Sequence, residues 1–276
     1  MLIEPYAEIE KKPLVYDDNR AISNGYGVTI KTTDNEKQWQ EIGIVSPNYL
    51  LVPNKQVKDM ADEIIDASDY NFTPHKTFWN GKQYMTSYSV EDHDFGEVTV
   101  GDPITLGLMV QNSYDQSWVL SISLFAIRKL CNNGMTSRVI FPMRRFKHDN
   151  MHTNWEIEMR QTINMLAQAG SRVKEVIQYA QYLNSKILSI KVLKEFRQKH
   201  LQALPVSKFG RVIDKFLSID NKRATAWDFL NAGTYIFWHN EKQTATDFKH
   251  NELLTTKLLL HARDSAKEWN GGNVTA

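Results

Sequence analysis

The sequence predicts an α+β fold: an antiparallel β-sheet half with a packed helix, followed by an all-helical half. Three observations carry that expectation. β-rich segments separated by turn residues fill positions 1–150, a helical apolar period takes over from about Thr153, and no internal repeat or low-complexity linker interrupts the 276 residues. At 42% hydrophobic and 24% charged residues, the composition is that of an ordinary globular chain with enough apolar side chains for a substantial core. The expected division is a β-rich domain over 1–150, a helical domain packed on it over 151–270 and a frayed tail over 271–276.

In chain order, "AISNGYGVTIKTT" (21–33) and "QEIGIVSP" (40–47) read as strands. A helix follows over about 54–67, because Val57, Met60, Ala61, Ile64 and Ile65 form one apolar stripe, with Asn54 as its expected N-cap. In "HKTFWNGKQYMTSYSV" (75–90), Asn80 and Gly81 separate two β-rich arms, a strong hairpin signal because both residues tolerate positive φ. With the turn there, Trp79 pairs with Lys82 and Thr77 with Tyr84, and Trp79, Lys82, Tyr84, Thr86 and Tyr88 share one face. That face is either an exposed aromatic platform or simply core, and Lys82 and Thr86 favour exposure. A second hairpin joins "ITLGLMVQN" (104–112) to "SWVLSISLFAIRKLC" (117–131). In the latter, Leu120, Ile122 and Leu124 point one way and Ser121 and Ser123 the other, so a half-buried strand delivers Arg128 and Lys129 to opposite faces.

The helical half opens with "TNWE", a capping box from Thr153 to Glu156, and its first helix runs to Ala169 with Gly170 as the stop. A second helix over about 172–190 aligns Val173, Val176, Ile177, Ala180, Leu183 and Ile187. Further helices are expected over 192–203, 208–216, 224–238 and 251–269.

Composition excludes several classes. One cysteine permits no intrachain disulfide and no CxxC zinc site, which favours a reducing compartment, the cytoplasm. The N-terminal segment carries charges where a signal peptide has its apolar core, and the apolar run 119–127 is short and broken by serines, so no membrane association is expected. There is no GxxxxGK[ST] loop, and the glycines of "NGYG" and "GDPITLG" lack a strand-turn-helix context, which disfavours an NTPase or a dinucleotide enzyme; no cofactor is expected. "EDHDFGE" (91–97) clusters carboxylates with His93 and could hold a hard divalent cation, but such runs are more often solvated turns, and no metal is expected. His148 and His152 precede the capping box and do not share a helical face. Cys131 becomes a nucleophile only if a base such as His148 or His239 meets it in space; its commoner role is a small buried hydrophobe.

The formal net charge of +1 conceals a pattern. Residues 1–115 carry 9 basic and 19 acidic groups, residues 116–216 carry 17 and 6, and the remainder is balanced. Such asymmetry suits a polyanion partner, or head-to-tail contact between subunits, unless the fold intermingles the charges. The stretch 117–148 holds six cations and no acid: Arg128, Lys129, Arg138, Arg144, Arg145 and Lys147. Such a cluster can track phosphates, while Trp79, Tyr84 and Tyr88, with Lys82 beside them, would stack bases. The helical half adds Arg172, Lys174, Lys186, Lys191, Lys194, Arg197 and Lys199.

Two stretches carry a resemblance. "RKLCNNGM" (128–135) and "TAWDFLNAGTYIFWH" (225–239) resemble the paired signatures of a phage- and plasmid-borne family of unknown function, a Cys-x-Asn strand end and a later Trp-x-x-x-Asn-Ala helix followed by His. The matching positions are Arg128, Cys131, Asn133, Trp227, Asn231, Ala232 and His239, and they are markers without assigned roles. A helix apolar nearly all round must be buried, so Asn231 needs partners, and the backbone near Asn132 and Asn133 would fasten the helix to the end of the basic strand. The layout of hairpins, one helix and basic residues also resembles, in outline, the phage single-strand annealing recombinases of the Red-beta, Erf and Sak types. That resemblance implies an ATP-independent single-stranded DNA binding and annealing protein of a phage or plasmid, acting in recombination or replication. It further implies homo-oligomers, as rings or filaments, with single-stranded DNA or RNA as partner. The alternatives are a mobile-element protein-interaction module that binds a host factor, and an enzyme acting through Cys131 or the 91–97 carboxylates.

Overall fold

The computed structural model describes residues 4–15, 21–32, 39–137, 141, 143–146, 148, 155–219, 224–239 and 244–271. The fold is α+β. Strands β1 (Ile9–Val15), β2 (Ala21–Lys31) and β3 (Trp39–Val45) form a three-stranded antiparallel sheet in that order. A six-stranded sheet contains β4 (Phe72–Trp79), β5 (Gln83–Val90), β6 (Ile104–Ser113), β7 (Leu120–Arg128), β8 (Asn133–Met135) and β9 (Met143–Phe146). Its order is β4-β5-β6-β7, with β8 and β9 both pairing antiparallel to β7 along its free edge. Helix α1 (Asn54–Asp66) precedes β4, and α2 (Trp155–Ala167), α3 (Ala169–Asn184), α4 (Ile190–His200), α5 (Val206–Leu217), α6 (Ala226–Trp238) and α7 (Ala245–Gly271) follow.

The chain forms two compact units that interleave in sequence. The first comprises Met1–Ser89, Leu108–Ser123 and Met143–Ala167, the second Val90–Gly107, Leu124–Pro142 and Gln168–Ala276, so β6 and β7 each begin in one unit and end in the other.

In the first unit, β1 was not foreseen, because "IEKKPLV" interrupts its apolar residues with charge and proline. Lys11 solves that locally, donating to the carbonyls of Pro47 (2.9 Å) and Tyr49 (2.6 Å) while lying over the Tyr26 ring. The β1–β3 sheet packs Val28, Ile30, Ile42, Val45 and Tyr49 around Tyr114, with Trp79 half-buried against them. Helix α1 buries Val57, Met60, Ala61 and Ile64 as its period requires, whereas Ile65 is only half-buried. Its N-cap is Pro53 and not Asn54. Asn54 is the first helical residue, buried, with its amide donating to the Pro5 carbonyl and its Oδ1 accepting from Asn112. An asparagine with two distant partners has no side chain left to cap its own helix.

The first hairpin forms with its register displaced by two residues. Asn80 N–H donates to the Gln83 carbonyl and Thr77 Oγ1 meets Thr86 Oγ1 at 3.2 Å, so the two-residue loop is Gly81-Lys82. Gly81 takes φ 89°, and the Asn80 side chain accepts from the Lys82 and Gln83 amides, an Asx turn that draws Asn80 out of the loop. A shift of two preserves which residues share a face. It does not preserve exposure: every residue of β5 is buried, Tyr84 at 0% and Tyr88 at 5% exposed, so the platform face is core. The serines of β7 are buried as well, so this sheet is covered on both faces.

In the second unit, Gly170 does not stop a helix; the break falls at Gln168, and Gly170 lies inside α3. Helix α3 ends at Asn184, which leaves Ile187, expected in its apolar stripe, 65% exposed on the segment leading to α4. The Thr153 capping box falls outside the described residues, but α6 opens with one between Thr225 and Asp228, and Thr244 and Asp247 pair the same way at the start of α7. Aspartate at the third position of both hides them from a search for Glu or Gln.

Candidate functional site

Helix α6 is buried nearly all round, and its Trp227, Asn231 and His239 meet the end of β7 and β8 within the second unit. The two sequence signatures are therefore one constellation. Its centre is Asp102, a carboxylate that the sequence did not single out. Asp102 is 4% exposed, its Oδ1 accepts from Arg128 Nε at 2.5 Å and its Oδ2 from the Trp227 indole at 2.9 Å. The Arg128 guanidinium lies over the Trp227 ring and reaches Cys131 Sγ at 3.6 Å. Burial alone would depress its pKa, but the Asp102 hydrogen bond and charge, with a smaller contribution from Cys131, raise it above the ordinary value. Lys129 donates from Nζ to the Glu91 carbonyl at 2.7 Å and from its backbone to the Pro103 carbonyl. Both cations at the end of β7 thus hold the loop 91–103.

The edge strand β8 would leave carbonyls unpaired, and a side chain of α7 satisfies the one of Gly134. Asn251 Nδ2 donates to the Gly134 carbonyl at 2.9 Å, and Thr256 Oγ1 to Ser137 Oγ. Asn133, 1% exposed, donates from Nδ2 to the Asn231 carbonyl at 3.1 Å. His239 Nε2 lies 2.9 Å from both Asn133 Oδ1 and the Cys131 carbonyl. Both neighbours are acceptors, so Nε2 carries the hydrogen and the ring is a donor there. Gly134 is required by packing: a Cβ would sit 2.6 Å from the Trp238 ring, which lies against Phe125.

Asn231 departs from expectation. Its backbone carbonyl, and not its side chain, receives Asn133, and both atoms of its amide are buried without a hydrogen-bond partner among the described residues. Cys131 is half-buried, its carbonyl and not its thiol meets His239, and its thiol meets a guanidinium and not a base. A cysteine hydrolase needs the thiol on the imidazole, so that pairing is not formed. His148 belongs to the first unit, stacked on Tyr49 at 4.5 Å with Nδ1 on the Leu50 carbonyl, and burial lowers its pKa. Among the described residues, no group of three or more His, Cys, Asp or Glu could hold a metal ion, the 91–97 carboxylates included.

The remaining expected nucleic-acid residues lie elsewhere. Arg138 and Lys147 fall outside the described residues. Arg144 and Arg145 are on β9, in the first unit, paired with Ile122 and Ser121. Arg144 is half-buried and bonded to Gln161; Arg145 is exposed, touches Met143 Sδ at 3.4 Å and has no ion-pair partner among the described residues. In the same unit, Lys82 is exposed in its turn and Trp79 is half-buried against Tyr114. The Lys82 carbonyl accepts from Tyr114 N–H, and Gln83 bonds Ser117, so this turn lies at the end of the sheet where β7 starts. Arg145 pairs one residue inside that start, at the same end.

No helix among the described residues is long and apolar enough to cross a membrane. A family profile described as "Domain of unknown function (DUF932)" matches residues 41–261. No curated protein and no solved structure matches the chain at the significance required.

Proposed function

The chain belongs to the DUF932 family, and we propose that it binds single-stranded nucleic acid, DNA first among the candidates, through one end of the sheet in its first unit. The observation that carries the reading is that exposed Lys82 and Arg145 lie at the same end of that sheet, with Arg144 beside Arg145 and Trp79 beside Lys82. β4 and β9 are the sheet's outer strands there, with β5, β6 and β7 between them, so a strand crossing from one to the other spans four strand spacings, about 19 Å. Cations so spaced contact phosphates without reading bases. Trp79 is the stacking residue of the set, because Tyr84 and Tyr88 are interior. The finer proposal, ATP-independent annealing in phage or plasmid recombination, rests on the outline resemblance to the annealing recombinases and not on the site geometry.

Fluorescence anisotropy with labelled oligonucleotides tests it. Binding at low salt is expected to weaken with a linear log–log salt dependence, and Arg144→Ala with Arg145→Ala to reduce the slope by about 0.7 per lost phosphate contact. No binding at low salt, or binding unchanged in the double variant, would remove the proposal.

A further inference from the structure

Two surface features of the second unit are an apolar cavity beside basic residues and an exposed apolar loop tip beside acidic ones. The first is a partly open cavity of about 150 Å³ at the junction of α3, α4 and α7, lined by Tyr182, Leu188, Val192, Phe196, Leu258 and His261. A cavity of that size admits a benzene-sized apolar group. Its lining contains no carboxylate and one ammonium, Lys186, which lies 4.6 Å from the Tyr182 ring centroid. The Phe196, His200 and His261 rings group beside it, with centroids 4.9 to 6.5 Å apart. Burial first, then the charges of Lys199, His261 and Lys257, hold the His200 imidazole below its ordinary pKa, which marks this rim as positive. Val192, 46% exposed, and Ile187, 65% exposed, extend the apolar surface beyond the cavity mouth.

The second feature is the tip of the loop 91–103. Val100 is 100% exposed there, a β-branched apolar side chain held wholly in water. The tip is not loose: Asp102 N–H donates to the Thr99 carbonyl, Gly101 N–H to Glu97 Oε2, and Glu97 bridges Pro103. Arg128, Trp227 and Lys129 anchor its base, and Gln181 of α3 donates to the Glu97 carbonyl at 3.0 Å. The Glu97 carboxylate stands at the tip, where it accepts from Gly101 N–H, and exposed Glu91, Asp92 and Asp94 precede it on the same loop, so the tip is an apolar knob on an acidic loop. A preorganised knob loses little conformational entropy on docking.

We propose that the Val100 tip of one copy of the chain docks in the α3–α4–α7 cavity of a second copy, with Glu97 and the acidic loop facing Lys186 and the basic rim. An isopropyl group fits the cavity volume, and the signs of charge oppose on the two surfaces. The lining is too apolar for a nucleobase, whose polar edge needs several hydrogen-bond partners, and Ile187, between the lining residues Lys186 and Leu188, adds exposed apolar surface. Self-association then uses a different surface on each partner. The assignment does not rest on nucleic-acid binding.

Sedimentation velocity on the full chain, without nucleic acid, tests it. The unaltered chain is expected to self-associate with concentration, more weakly at high salt. Val100→Asp and Val192→Asp each weaken association by about ten- to a hundredfold, and Lys186→Glu by less. All three sites are exposed, so thermal melting should be unchanged. Mixing the two aspartate variants is decisive: the first keeps an intact cavity and the second an intact tip, so two monomeric proteins should yield a heterodimer. A chain that stays monomeric over its soluble range, association undiminished in Val100→Asp, or a mixture that stays monomeric would overturn the proposal.

Discussion

Arg128 and Arg145 come from one acid-free stretch of sequence and have opposite fates. In the second unit Arg128 is held by Asp102, which lies 26 residues earlier in the chain, and stacks over Trp227. In the first unit Arg145 stands on an edge strand in solvent. The lesson is that a local count of charges says where cations are in the chain and not which are neutralised. A single distant carboxylate, placed by a loop, decides that.

The largest effect expected from breaking this contrast is at Asp102. Asp102→Ala leaves a largely buried guanidinium uncompensated and the Trp227 indole without its acceptor, an arrangement that costs about 3 to 5 kcal/mol. Urea denaturation should show a loss of that order. A loss below about 1 kcal/mol would mean that Arg128 reaches solvent and is as available as Arg145.

Next in size is Asn231. Its amide is buried and has no partner among the described residues, which costs about 1 to 3 kcal/mol, while its carbonyl supplies the bond to Asn133. Asn231→Ala keeps the carbonyl, removes the penalty and leaves only a small cavity, so stability should rise by up to that amount. A fall would show that the amide serves a group in the native protein, and the marker position would then be a site and not a structural remnant.

The sequence made the elements legible where periodicity was clean, as in α1 and α6, and where a turn signal was strong, as at Asn80-Gly81. It was less legible where side chains find distant partners. Asn54 reads as a cap from its neighbours, yet Pro5 and Asn112 claim its amide. Tyr84 and Tyr88 alternate as on a half-exposed strand, yet the Tyr6 and Asp62 side chains meet their hydroxyls. For the site, the two signatures identified the residues that converge, including Arg128, Asn133, Trp227, Asn231 and His239. Asp102 carried no local signal, being one acid between Gly101 and Pro103 in an acidic half, and Val100 is notable only for an exposure that no pattern announces.

Lys76 extends the comparison to a third fate, a cation that burial disfavours. On β4 it is half-buried, and desolvation lowers its pKa to about 8 from the ordinary 10.5. The folded chain therefore binds fewer protons than the unfolded one between those values, and stability rises with pH across that window and is flat below it. Solvent reaches part of the side chain, which reduces the effect to about 1 kcal/mol. Denaturation midpoints at about pH 7 and about pH 9, a unit below the ordinary tyrosine pKa, should differ for the unaltered chain and converge in Lys76→Met. A pH response that survives the substitution would place its origin elsewhere.

The smallest effect on stability belongs to Arg145. An exposed arginine with no ion-pair partner among the described residues contributes mainly its charge, so Arg145→Ala should change stability by no more than about 0.5 kcal/mol. If the functional proposal holds, the same variant loses oligonucleotide affinity and part of the salt slope, while Arg128→Lys, at a site already occupied by Asp102, loses stability and leaves the slope intact. The two readouts should separate the two arginines in opposite directions. Equal effects of both on both readouts would mean that the Asp102 pair opens in solution and that the acid-free stretch acts as one cluster.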